Sequence, residues 1–288
     1  RSLQRLALCQ WGLVRKNTPG RALEVTTGTL LLHLKIQETR LLTATRILPR
    51  IDRVSKSGKM LITELLKLGL PVASRRYDKI PSEAIREAPC EVIIGSGDPV
   101  LGEDGAAVCY TDGYSLDGRY GSAFHMTGKL GEIYTGQERL SNHATVFQAE
   151  VRAIQMALEK FMKVKNEEEK LIIMVDSLAA IKSLVSTRNK SAMVRETIRL
   201  INQIKAMGLD VQIRWVKAHI GIEGNEAADE LAREATLGQI QGSRLPVAHV
   251  KKVVRGRIMA TWQEEWNSCE GHRQSKFFRP KIDVAKSG

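Results

Sequence analysis

Ala106-Ala-Val-Cys-Tyr-Thr-Asp-Gly113 opens the part of the chain that decides the fold. Six strand-compatible residues run straight into a carboxylate and a glycine. The run predicts a strand over 106–111 and a turn over 113–118. A second strand comes next over 119–126, then a turn at Gly128-Lys129, and a third strand over 131–136. Downstream, the period of the apolar residues switches between 3.6 and 2. It predicts a helix over 145–163, a buried strand over 171–175 and a helix over 178–186. A further helix carries Val194, Ile198, Ile201 and Ile204 on one side. A strand over 210–216 and a helix over 223–235 close the region. The order βββ-α-β-α-α-β-α gives the fold class: α/β, with a mixed five-stranded sheet. The sheet starts as hairpins, is extended by parallel strands, and has helices on both faces.

Four carboxylates sit in this frame. Asp112 and Asp176, the latter in Leu171-Ile-Ile-Met-Val-Asp-Ser177, each end an apolar run. Glu150 lies on a helix whose apolar stripe is Phe147, Val151, Ile154, Leu158 and Phe161, and it points within about 60° of the stripe's centre. Asp229 closes His219-Ile-Gly-Ile-Glu-Gly-Asn-Glu-Ala-Ala-Asp229. An unpaired buried carboxylate must change its pKa, find a partner or bind a metal. If the four converge, cations are needed to hold them together, and oxygen-only ligands suit Mg²⁺ or Mn²⁺.

The 288 residues carry a net charge of +12, which favours a polyanionic partner. The excess lies in the flanks. Residues 1–105 hold 17 Lys/Arg against 11 Asp/Glu, residues 106–237 hold 17 against 17, and residues 238–288 hold 10 against 4. Cys9, Cys90, Cys109 and Cys269 show no paired-ligand spacing, which argues against zinc and fits a reducing compartment, cytoplasm or nucleus. No stretch approaches the ~20 apolar residues of a membrane span.

The flanks divide the chain into four expected parts. Residues 1–48 read as helical, with Leu3, Leu6, Leu13 and Val14 in an approximate helical repeat. Thr18-Pro19 reads as a helix start and Gly28 as a stop, and a further helix is expected over 32–48. Residues 49–105 read as a linker with a short helix over 61–68, broken later by Pro81, Pro89, Pro99 and Gly95-Ser-Gly97. Residues 106–237 form the carboxylate-bearing domain. Residues 238–288 form a basic extension with a helix around 249–266. Trp262 and Trp266 share one face of it, and Lys276-Phe-Phe-Arg-Pro-Lys281 lies beyond. Aromatics among basic residues suit nucleic-acid stacking; docking of the tail through the two tryptophans is the plainer reading. The start at Arg1 reads as a piece of something longer.

Thr111-Asp-Gly113, Gln148-Ala-Glu150, Asp176-Ser177 and the His219–Asp229 motif together resemble type I ribonuclease H over residues 106–237. The segment Thr18-Pro-Gly-Arg-Ala-Leu-Glu-Val25 is similar to the region after the reverse transcriptase in non-LTR (LINE-type) retrotransposon polyproteins, and the tail is similar to the region after ribonuclease H in the same elements. The resemblance implies an endonuclease that hydrolyses the RNA strand of RNA–DNA hybrids with two Mg²⁺ ions, for which Mn²⁺ can substitute. Asp112, Glu150, Asp176 and Asp229 would be both metal ligands and catalytic groups, and His219 would shuttle a proton or assist product release. Asn142, Gln148, Ser177, Arg188, Lys190 and Asn225 are implied substrate contacts. An upstream reverse transcriptase domain is the implied protein partner. The alternative is a catalytically silent module that binds hybrid in support of that polymerase. Tyr114 stands between Asp-Gly and Ser115, where the family often places Ser directly.

Overall fold

A computed structural model describes residues 20–47, 55–71, 78, 90–94, 106–164, 169–186, 191–241, 244–270 and 272–282. The helical repeat expected over residues 3–14, the Thr18-Pro19 start, the proline-rich loops and the basic pair Arg188 and Lys190 lie outside those residues. The chain divides into two compact units, one made of residues 1–74 with 248–288 and the other of residues 75–247.

The first unit is helical. It holds α1 (Gly20–Thr27), α2 (Leu32–Ile47), α3 (Lys56–Lys67), most of α8 (Val247–Ser268) and α9 (Arg273–Phe278). Along α8 the buried side chains recur every four residues: Val250, Val254, Ile258, Trp262 and Trp266. That stripe is the face the tryptophan spacing foretold, and Trp262 and Trp266 are each only 2% exposed. Leu23, Leu34, Leu41, Leu65 and Leu70 are further fully buried large side chains among the unit's described residues. Each such side chain contributes about 1.5–3 kcal/mol on leaving water. His33 pairs with Glu265 at 2.8 Å, and Arg40 with Glu64 at 3.1 Å.

The second unit is built on a six-stranded mixed sheet in the order β1-β6-β5-β2-β3-β4. Its strands are β1 (Glu91–Ile93), β2 (Ala106–Leu116), β3 (Arg119–Thr127), β4 (Ile133–Leu140), β5 (Lys170–Val175) and β6 (Asp210–Trp215). β2, β3 and β4 pair antiparallel, while β5, β6 and β1 extend the sheet in parallel. The α/β class with hairpins first and parallel strands after is as the sequence predicts. β1 is a sixth strand, contributed by the stretch read as a linker. Gln212 on β6 donates a side-chain hydrogen bond to Glu91 beside this short pairing.

β2 also departs from expectation. It does not turn at Gly113 but runs on to Leu116, and the hairpin closes at Asp117-Gly118, where both residues have positive φ (50° and 72°). What stops near residue 111 is the pairing with β5, whose last partner is Thr111 opposite Val175.

Helices α4 (Val146–Val164), α5 (Leu178–Leu184) and α6 (Ala192–Ala206) cover one face, over Ala107, Cys109, Leu171 and Ile173. Helix α7 (Glu223–Ala235) covers the other, placing Ala228 with Tyr110, Ile172 and Met174. The alternation along β2 and β5 sends successive side chains to opposite faces. Two glycines let the helices approach closely. A Cβ on Gly113 would stand 2.3 Å from the Glu150 backbone nitrogen, and one on Gly121 would stand 1.9 Å from the Ala232 carbonyl oxygen.

Asp78 ties together elements that are distant in sequence. Its carboxylate accepts from Ser191 Oγ (2.7 Å) and the Met193 amide (3.0 Å) at the start of α6, and from Gln148 Nε2 (3.2 Å) on α4. Its own amide donates to the Leu245 carbonyl at 2.9 Å. Asp78→Ala removes a helix-start acceptor and leaves buried donors unmatched. The expected cost is about 1–3 kcal/mol, read as a lower urea midpoint at unchanged slope.

Candidate active site

The register of β2 and β5 builds the site. Beyond Thr111 opposite Val175 the parallel ladder ends, and the next residue on each strand is a carboxylate, Asp112 and Asp176. Gly113 admits α4 from one face and so brings Glu150 to the same point. Ser122 Oγ holds that helix by donating to the Ala149 carbonyl at 2.8 Å. Oxygens of Asp112, Glu150 and Asp176 all lie within 4.8 Å of one another. Asp229 arrives on α7 from the opposite face, and its charge bears on Asp112.

The electrostatics are those of an unneutralised acid cluster. Burial, then the charges of Asp176 and Asp229, push Asp112 up to about 7, opposed by a hydrogen bond from the Gly113 backbone. Burial, then Asp112 and Asp176, push Glu150 up to about 9, and the Gly113 backbone again opposes. Asp176 is raised chiefly by burial and further by Asp229, with its own backbone amide and the His219 charge acting the other way. Asp112 Oδ2 and Glu150 Oε2 are buried with no hydrogen-bond partner. Buried polar atoms are rarely left so. Convergent, acceptor-only oxygens of this kind fit a hard divalent cation, which would remove the repulsion and satisfy both orphaned atoms.

Asp176 is itself positioned. Trp215, the last residue of β6, donates its Nε1 proton to the Asp176 carbonyl at 3.0 Å. Ser177 caps α5 by accepting from the Ala180 amide at 3.3 Å. The Trp215 contact is not legible in the sequence; its only signal there is an aromatic at a strand end just before the His219 loop. Trp215→Phe keeps an aromatic side chain but loses the donor, about 1 kcal/mol, and some of the indole's packing against the core. A fall in kcat of roughly fivefold with KM unchanged is the expected outcome, measured by steady-state turnover of the hybrid that the sequence resemblance implies.

His219 is exposed and holds a left-handed backbone, φ 55°, on the loop before α7. The other expected contacts divide. Asn142 is exposed and accepts from Arg139 at 3.2 Å. Ser177 is half-buried beside Asp176. Asn225 is 3% exposed, with Oδ1 unpartnered. Gln148 is 1% exposed, and its amide nitrogen donates to Asp78 and to the Arg244 carbonyl at 2.9 Å. Gln148 therefore faces inward rather than toward solvent, and only its Oε1 lacks a partner.

The sequence pattern of the RNase H family matches residues 104–237. A Ribonuclease H of Chromobacterium violaceum is 30% identical over 141 residues, spanning 43% of this chain and 90% of that protein. The crystal structure of RNase H1 from the halophilic archaeon Halobacterium salinarum NRC-1 aligns at 24% identity and a TM-score of 0.37, over 46% of this chain and 97% of that one.

Proposed function

The chain belongs to the ribonuclease H family, and from that premise we propose that it cuts the RNA strand of RNA–DNA hybrids at the Asp112–Glu150–Asp176–Asp229 cluster by a two-metal-ion mechanism. The observation that carries the assignment of the site is the convergence of buried, unpartnered carboxylate oxygens where the β2–β5 ladder ends. Asp112, Glu150, Asp176 and Asp229 would hold the two Mg²⁺ ions. The bound ions would supply an activated water and charge stabilisation of the leaving 3′ oxygen.

The chain's own groups do the rest. The Gly113 backbone bears on both carboxyls and favours the charged form of Asp112 and of Glu150. Trp215 fixes the turn that carries Asp176. His219, exposed on the loop before α7, would carry a proton between the site and solvent. Exposed Asn142 and half-buried Ser177 are the candidates for contact with the hybrid, whose wide minor groove displays the 2′-hydroxyls of one strand. We infer further that the chain works beside a reverse transcriptase in a retrotransposon polyprotein. What supports this is the likeness of the segments on either side of residues 106–237 to such elements. Among the described residues no helix is long and apolar enough to cross a membrane.

The test is cleavage of a labelled RNA–DNA hybrid by the full chain with Mg²⁺ and with chelator, beside single-stranded RNA, duplex RNA and duplex DNA. Metal-dependent loss of the hybrid's RNA strand alone is the expected result. Hybrid binding without cleavage would overturn the catalytic reading in favour of a silent support module.

A further inference from the structure

The aromatic residues of the basic tail look alike in sequence, and the structure separates them. Trp262 and Trp266 are 2% exposed, whereas Phe277 and Phe278 on α9 are 80% and 77% exposed. The exposed pair is not on a loose end. Trp266 Nε1 donates to the Arg279 carbonyl at 2.9 Å. Gln263 accepts from the Ile282 amide at 2.9 Å and donates to the Pro280 carbonyl at 3.0 Å. The His272 ring stacks on Trp266 with centroids 6.0 Å apart. Lys276 donates to the Asn267 carbonyl at 2.8 Å and lies over the Trp266 ring. The turn is thus fastened to α8 on both sides of the two phenylalanines. Their rings meet edge to face at 5.3 Å, held in water.

The surroundings say what such a pair faces. Arg273, Arg279 and Lys281 are exposed around it, and Glu270 is the one carboxylate in the sequence from 269 to 282. The core of a protein–protein contact is depleted in charge. An exposed aromatic pair ringed by cations matches instead a polyanion that offers flat π faces. A duplex hides those faces in its stack; a single strand presents them. We propose that the α9 segment is a second nucleic-acid site, sharing no residue with the carboxylate cluster, which takes single-stranded RNA or DNA. Phe277 and Phe278 stack on unpaired bases, and Arg273, Arg279 and Lys281 neutralise the adjoining phosphates.

The experiment uses the full chain in chelator, so that nothing is cut. It tracks the anisotropy of a labelled oligothymidylate or oligouridylate of about 16 nucleotides, the upper end of the site size of a single-strand binding fold. Phe277→Ala combined with Phe278→Ala is expected to weaken binding by roughly 10-fold or more. Arg273→Gln with Arg279→Gln and Lys281→Gln is expected to flatten the slope of log affinity against log salt by about 2. Tryptophan emission from the buried Trp262 and Trp266 checks that both variants keep the fold. Unchanged affinity in the double phenylalanine variant would overturn the proposal. So would loss of self-association or of a protein contact in that variant while oligonucleotide binding persists. Hybrid cleavage in Mg²⁺ is read separately, so failure of the catalytic assignment and failure of this one are distinguishable.

Discussion

Asp112→Asn is expected to abolish hybrid cleavage while making the metal-free protein more stable at alkaline pH. The two effects have one cause. Asp112 is 7% exposed, with Asp176 and Asp229 beside it, and its carboxyl is pushed up to about 7. Glu150 is pushed up to about 9. Both folded values exceed those of the unfolded chain, about 3.9 for Asp and 4.3 for Glu. The folded state therefore holds these protons more tightly than the unfolded state. The stability they contribute is full below about pH 4 and is lost as pH rises through about 7 for Asp112 and about 9 for Glu150. The asparagine cannot ionise, so the variant escapes its share of that loss. Without metal its Tm at pH 8 should exceed the parent's. Saturating Mg²⁺ should narrow or reverse the gap, because an ion that binds only the folded state stabilises the parent more. Activity moves the other way, with a loss of roughly 1,000-fold or more, the upper range for removal of a single charge-stabilising group. Calorimetry with and without metal, together with single-turnover cleavage, checks both halves. A variant no more stable than the parent in chelator at pH 8 would refute the electrostatic reading of the cluster.

Much of this site was legible because local pattern and tertiary placement agree. The stripe Val151, Ile154, Leu158 and Phe161 fixed the phase of α4, and with it the inward direction of Glu150, now 7% exposed. The motif from His219 to Asp229 placed α7 over 223–235, which are its observed bounds. Elements that depend on distant partners were not legible. β1 is three residues long, among prolines, and exists through its pairing with β6 some 120 residues away, as Glu91 opposite Gln212. Gln148 is as buried as Glu150 but points to the other side of α4, and its amide goes to Asp78, 70 residues earlier. The end of β2 was misplaced because a glycine after a carboxylate reads as a turn. Here Gly113 serves a helix crossing rather than a reversal, and no local signal separates those uses. In the tail, composition grouped four aromatics together. Only the four-residue spacing of Val250, Val254, Ile258, Trp262 and Trp266 distinguished core from surface.

That crossing gives the second large effect. Gly113→Ala should cost cleavage at least about 100-fold, although the side chain at 113 touches no reacting group, because misplacement of a site by about 1 Å has consequences of that size. A Cβ there would meet backbone atoms, 2.3 Å from the Glu150 nitrogen, 2.7 Å from the Ala149 carbonyl carbon and 2.9 Å from the Glu150 Cα. A flexible side chain could swing away, but the backbone of α4 cannot yield without carrying Glu150 off Asp112. The overpacking should lower stability by about 1–3 kcal/mol, opposite in sign to the metal-free gain in Asp112→Asn. Gly118→Ala is the matched control. Gly118 sits at φ 72° with nothing within 4 Å of the added atom, so its alanine brings backbone strain at the hairpin tip without moving a helix. The expected pattern is comparable destabilisation in the two alanine variants, with kcat lost only in Gly113→Ala. Cleavage by Gly113→Ala within a few-fold of the parent would mean that the distance between Asp112 and Glu150 does not govern the reaction.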